Sequence, residues 1–329
     1  MKSNKTMLLL QTIGIIFVVF SHGCSLFLFN DLFPLGSFYM ALFAFSSGYF
    51  YNESIDKHWL KEGVIKKAKK FLIPYFFWNI VYGIILIIIQ SMSMMQSLPK
   101  AKLNFSSLFL EPFGTAHQYT FNLAAWFIIA LFIVQIIYII LRQIFKHTKF
   151  KDLYIMLVSL IIFYICIKFG NSESVQAYLS IFIGGYLLIF YHIGHCYKNY
   201  LEKYDIISNF KYFGIILFIQ IALFAFNSNI DFLIVWCDFK NVQWFVPIIS
   251  GITGIAFYLR ICKILSDKIG NNKIINLIGT STNSIMYHHL FVFYCINIVL
   301  CLIFKVYPFD GFIPNLAKND IWYKFYGFN

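Results

Sequence analysis

Two places in the chain set histidine inside long apolar runs, where an imidazole has no bulk water to satisfy it. His22 lies in the run 7–29, flanked by Ser21, Gly23 and Ser25, and His288 and His289 sit early in the run 284–304. A polar ring in hydrocarbon is costly, so it marks a functional position unless a hydrogen bond between packed helices accounts for it. Imidazole titrates near neutrality and can take or return a proton, which makes general base catalysis the chemistry such a ring offers. Successive helical residues point about 100° apart, so only one of the adjacent pair can face a bundle interior squarely, and His289 is expected to be that one.

A second candidate group is basic. Lys66, Lys67, Lys69 and Lys70 run directly into the apolar stretch 71–90, and Lys67 and Lys70, three apart, share a helix face. Such a cluster either stops translocation and touches anionic lipid, or meets the phosphates of a nucleotide-like cofactor at the mouth of a cavity. His192 and His195 have the spacing of two metal ligands on one helix face, but two ligands alone do not make a metal site, and no metal is expected.

The elements that must carry these residues are membrane helices. Of the 329 residues 60% are hydrophobic, 21% aromatic and only 12% charged, and the mean hydropathy is +0.73, which excludes a soluble enzyme and a disordered chain. The apolar runs are long and continuous where a β-barrel would alternate every other residue. Runs long enough to span a bilayer fall at 7–29, 33–51, 71–90, 122–141, 153–169, 175–195, 212–226, 242–259 and 284–304. The expected fold is an all-α polytopic transmembrane helix bundle of about nine or ten spans, forming a single domain over 1–329.

Charge reads as topology. With the N-terminus in the cytoplasm, nineteen of the 26 Lys and Arg fall on cytoplasmic segments and seven on the other side, as the positive-inside rule requires. The tail 305–329 is then extracytoplasmic. The net charge of +12 therefore implies membrane lipids as partners and no nucleic acid. The fourteen acidic residues lie in loops or near span ends, which weighs against an ion-coupled pump and removes the carboxylate pair of a glycoside hydrolase. Seven cysteines without a CxxC pair read as small packing residues. A Lys-rich, Arg-poor balance points to an AT-rich bacterial genome, and hence to a multi-pass protein of the bacterial cell membrane.

Five segments together resemble one family. Ile15-Ile16-Phe17-Val18-Val19-Phe20-Ser21-His22-Gly23 is similar to the first-helix motif of the membrane acyltransferase-3 family, the integral-membrane O-acyltransferases of bacterial surface glycans. Phe43-Ala44-Phe45-Ser46-Ser47-Gly48-Tyr49-Phe50 resembles its second-helix motif. The lysine run through Leu72-Ile73-Pro74-Tyr75 resembles its basic-x-x-basic motif with a proline helix start. Asn122-Leu123-Ala124-Ala125-Trp126-Phe127 resembles its N-x-x-x-W-F segment, and the stretch from Ile278 to Leu290 its last motif. The motifs run from about 13 to 297. The sequence departs from the pattern in having Gln11 where a basic residue eleven before the histidine is usual, and lysines at 67 and 70 where arginine is common.

The resemblance implies acyl-coenzyme A, with acetyl-coenzyme A the simplest case, as donor, and a glycan or lipid-linked sugar as acceptor. It implies His22 and His289 as catalytic residues, with His22 the base toward the outer half of its span and His289 toward the inner half, beside the thioester. Lys67, Lys70, Ser47 and Gly48 would then hold the donor, and Asn122 and Trp126 the acceptor. A polysaccharide exporter or flippase, or an inactive partner subunit, is also compatible with these residues.

Overall fold

The computed structural model describes residues 4–22, 32–92, 95, 98–116, 119–170, 172–227, 230, 232–240 and 242–303. The tail 305–329 and His117 lie outside them. In chain order the helices are α1 (Lys5–Phe20), α2 (Leu35–Tyr49), α3 (Lys66–Ser91), α4 (Glu111–Gly114), α5 (Trp126–Ile144), α6 (Lys151–Phe169), α7 (Leu179–Cys196), α8 (Asn209–Phe226), α9 (Val246–Ile269), α10 (Lys273–Thr280) and α11 (Thr282–Ile303). Short 3-10 and π-helical turns lead into α3, α4 and α5, and among the described residues there is no strand beyond one isolated bridge, Leu233 to Asp238.

Seven helical segments are long and apolar enough to cross a membrane, while α1 and α2 are helices of 16 and 15 residues. Each of the nine apolar runs carries a helix among the described residues, but the helix ends differ from the hydropathy limits. In the first, α1 ends at Phe20 and His22 lies in the turn that follows; residues 23–29 lie outside the described residues. Several others extend into polar turns. Asn4 caps α1 by accepting from the amide of Met7 at 3.2 Å, and Asn272 caps α10 by accepting from Ile274 and Ile275, each meeting amides that have no partner within the helix.

Helices α2 and α7 form the centre. A Cβ on Gly48 would run into the backbone carbonyl of Tyr191, and one on Gly194 into that of Phe45. The two glycines are thus reciprocal and let the backbones touch, the small-residue contact that holds helices together in lipid. Around this pair sit α1, α5, α6 and α9. The lipid-facing surface is carried by α3, α6 and α8, with Ile73, Phe77, Ile161, Phe210 and Phe218 all exposed.

Helix α10 was not anticipated from the sequence, and it sets the register of the site. It packs along α1: the Thr12 hydroxyl shares its proton between the carbonyls of Leu8 and Ile275, each at 3.0 Å. Gly279 approaches so closely that a Cβ there would press on Thr12 Oγ1 and the Leu8 carbonyl.

Candidate active site

His22 and His289 come together, their ring centroids 5.3 Å apart. The approach follows from the α1–α10 register. Gly279 lies beside Thr12, and each histidine is ten residues further along its own chain, about 15 Å at the helical rise of 1.5 Å per residue. This corrects the expectation that the two occupy different halves of the membrane. Helix α11 starts part-way along α1, above α10, so its first turns reach the level at which α1 ends. The Phe293 ring borders both, at 6.4 Å from His22 and 5.8 Å from His289.

His289 is 5% exposed, and its Nδ1 lies 2.9 Å from the carbonyl of Ile285. A carbonyl only accepts, so Nδ1 carries the proton and Nε2, buried with no hydrogen-bond partner among the described residues, holds the lone pair of the neutral ring. A neutral His289 therefore accepts at Nε2 rather than donates, and a hydrogen bond from that nitrogen to a thioester carbonyl would need the imidazolium. His288 turns the other way, as expected: its Nδ1 is 2.7 Å from the Tyr82 hydroxyl and its ring stands edge-on to Trp78 at 4.3 Å.

One cavity, of about 310 Å³, collects residues from four of the five motif segments. Gln11, Ser47, Lys70, Thr280, Thr282 and Asn283 supply its polar lining; Phe43, Phe127 and Met286 are among its apolar walls. Met286 is three residues before His289, so the cavity runs beneath the histidine pair. Lys70 and Ser47 thus line one cavity, and Lys67 and Gly48 are not among its lining residues. The Lys67 ammonium donates to Gln135 of α5, and Gly48 faces the α7 backbone. Sharing a helix face did not guarantee Lys67 and Lys70 a common partner, because Gln135 takes one of them.

Asn122 and Trp126, expected at the acceptor, are 1% and 6% exposed. Asn122 Nδ2 donates to Asn79 Oδ1 at 3.1 Å, and Asn79 Nδ2 in turn to the Leu108 carbonyl at 3.1 Å. They tie α3 to the segment before α5 and present no open face to a sugar. A larger cavity, of about 580 Å³, opens nearby between the end of α3 and the 99–120 segment, lined by Leu86, Lys100, Lys102, Asn104, Glu111 and Tyr119 among others. Sixteen residues of α3 separate Lys70 from Leu86, about 24 Å along the axis, so the two cavities sit at opposite ends of one helix. His288 reaches Tyr82, one turn short of Leu86, which puts the histidine level between them and nearer the larger cavity.

The two arginines, which in the sequence count only as topology charges, are anchors of ionic networks. Arg142 is fully buried and donates to Asp56 at 2.7 and 3.0 Å, to Glu53 at 3.0 Å, to Asp152 at 3.4 Å and to His195 Nε2 at 3.0 Å. His192 has both nitrogens engaged, by the Tyr138 hydroxyl and the Asp152 carbonyl. The spacing of His192 and His195 thus serves this ionic network. Arg260 joins Asp205, which also accepts from Lys263 at 2.5 Å and Tyr197 at 2.9 Å. In a chain that uses lysine nearly everywhere, an arginine just past the end of an apolar run was the available signal: the planar guanidinium bonds several carboxylates at once, which an ammonium does less well.

The acyltransferase-3 family, described as an acyltransferase domain, matches residues 6–322, and the chain belongs to that family. No curated protein and no solved structure matches it. The protein is a multi-helix membrane acyltransferase.

Proposed function

We propose that the protein moves an acyl group, in the simplest case acetyl, from acyl-coenzyme A to a hydroxyl of a cell-surface polysaccharide or lipid-linked glycan precursor in the bacterial cell membrane, with its N-terminus in the cytoplasm. The observation that carries the reading is the histidine pair set between two polar cavities at opposite ends of α3. Lys70 marks the cytoplasmic cavity, where an ammonium attracts phosphate, and the larger cavity faces outward.

In this reading His22 takes the proton of the acceptor hydroxyl as its oxygen attacks the thioester carbonyl. The carbon–sulfur bond of the resulting tetrahedral centre then breaks, and the thiolate leaves with a proton. The Nε2 lone pair of His289 suits it to receive the proton from His22 and return it to that sulfur. Burial of His289, beside a half-buried His22, limits the water that can compete with the hydroxyl. The Lys67–Gln135 bond holds α5 against α3, which carries Lys70, and the Thr12–Ile275 bond holds α10 against α1, which leads to His22.

The deciding experiment compares the surface glycan of a strain lacking the gene with that of its parent. Loss of an ester-linked acyl group, with glycan export intact, is the expected result. Retention of the ester with failed export would replace this reading with the exporter. Reporter fusions address sidedness: a reporter that works only in the cytoplasm should be active after Lys70 and Lys203 and silent after Gln96.

A further inference from the structure

The outward cavity has a chemistry of its own. The segment around it is built rather than draped: Gln90, near the end of α3, donates to the Pro99 carbonyl at 3.1 Å and accepts from the Ala101 amide at 3.0 Å. The Lys102 carbonyl accepts from both Ser107 Oγ and the Tyr119 hydroxyl at 2.6 Å, and Asn104 and Ser107 bond each other reciprocally. Pro99, Lys100, Ala101, Lys102 and Asn104 line the cavity while Leu103 and Phe105 do not. Phe105 is 70% exposed and Leu103 rests against Gly83 of α3, beside the exposed Ile84, Ile87 and Ile88.

Two lysines therefore stand at a polar cavity whose rim is lipid-facing. Among the described residues neither Lys100 nor Lys102 forms an ion pair, so their charge is available to a ligand. Asn104, Glu111 and Thr120, also at the cavity, offer hydrogen-bonding groups of the kind sugar hydroxyls use. A soluble neutral sugar would have no use for the lysines, and a soluble anion none for Phe105. We infer that this cavity binds the head group of a membrane-anchored saccharide phosphate, with Lys100 and Lys102 on the phosphate, the sugar in the cavity, and the hydrocarbon chain leaving past Leu103 and Phe105. The inference rests on the acyltransferase reading for the role of this ligand as acceptor, but its binding needs no donor and no turnover.

The test uses the full chain in phosphatidylcholine nanodiscs and three probes: a short-chain prenyl-phosphoryl-glucose, glucose 1-phosphate, and octyl glucoside below its micelle concentration. The prenyl-phosphoryl-glucose should bind about tenfold or more tighter than either other probe, and Lys100→Gln with Lys102→Gln should weaken it by about tenfold or more while leaving octyl glucoside unchanged. Both lysines are exposed, so an unchanged melting temperature is expected and separates lost binding from lost folding. Equal affinity for octyl glucoside, or an unchanged affinity in the double variant, overturns the phosphate assignment. Equal affinity for glucose 1-phosphate overturns the membrane anchor. Lysine-dependent binding by a protein that esterifies no glycan would sink the acyltransferase reading alone, and glycan esterification that survives without such binding would sink this one alone.

Discussion

Thr12 of α1 donates its hydroxyl to the carbonyl of Ile275 in α10 at 3.0 Å, and this bond lies ten residues before His22 and fourteen before His289, the two rings that meet. It acts as the registration mark for the imidazole pair. Thr12→Val keeps the volume and loses the bond, at a cost to stability of about 0.6–2 kcal/mol. Transfer activity should fall by more than folded protein does. Activity that simply tracks the amount of folded enzyme would show that the register does not depend on this bond.

Removing the base should be catalytic rather than structural. His22→Ala and His22→Gln should each insert and fold normally and lose about 10²–10⁴ in transfer rate. The informative variant is His22→Gln, which keeps hydrogen bonding without a useful basic nitrogen. Substantial activity in it would make the histidine a packing residue.

The two lysines of one helix face should separate. Lys70 lines the cavity and Lys67 is held by Gln135, so Lys70→Gln should raise KM for acyl-coenzyme A several-fold with little change in kcat, by about the value of one ammonium near a phosphate. Lys67→Met should lower the melting temperature and leave KM nearly alone. The reverse pattern would return the phosphate to Lys67.

Asp205 predicts a pH dependence. Burial alone would raise its carboxyl, but the bonds from Lys263 and Tyr197, with the nearby Arg260 charge, hold it below the usual carboxylate range. A depressed folded value stabilises the folded state fully above the unfolded value of about 3.9, and that contribution fades as pH falls through the folded value. The melting temperature of Asp205→Asn should therefore lie below that of the parent by a constant margin from pH 7 to pH 5, and the gap should close only under strongly acid conditions. A gap that closes near neutrality would contradict the assignment.

Much of the fold was legible because lipid imposes it: each of the nine apolar runs carries a helix, and Ser47, Lys70 and the 278–290 segment do share a cavity. The depth of His289 was not legible, because counting residues from the start of α11 assumes that every span begins at one level. Helix α10 has eight residues and exposes Ile274 and Leu277, too short a pattern to separate from a loop. Gly48 looked like a ligand position because a glycine that makes room for a phosphate and one that makes room for a carbonyl of the next helix are the same letter. Asn122 and Trp126 illustrate the same limit, since polar and aromatic residues that stitch a bundle read identically to those that hold a sugar.

The reciprocal contact of Gly48 with Tyr191 and Gly194 with Phe45 also bears on mechanics. A carrier that exposes its cargo first to one side and then to the other needs a seam along which its halves can slide. Here the central seam is toothed: displacement along α2 or α7 would drive a carbonyl oxygen into an α-carbon within a fraction of a turn. The keel of the molecule is fixed, which suits the proposed reaction, where only an acyl group would travel between its two ends.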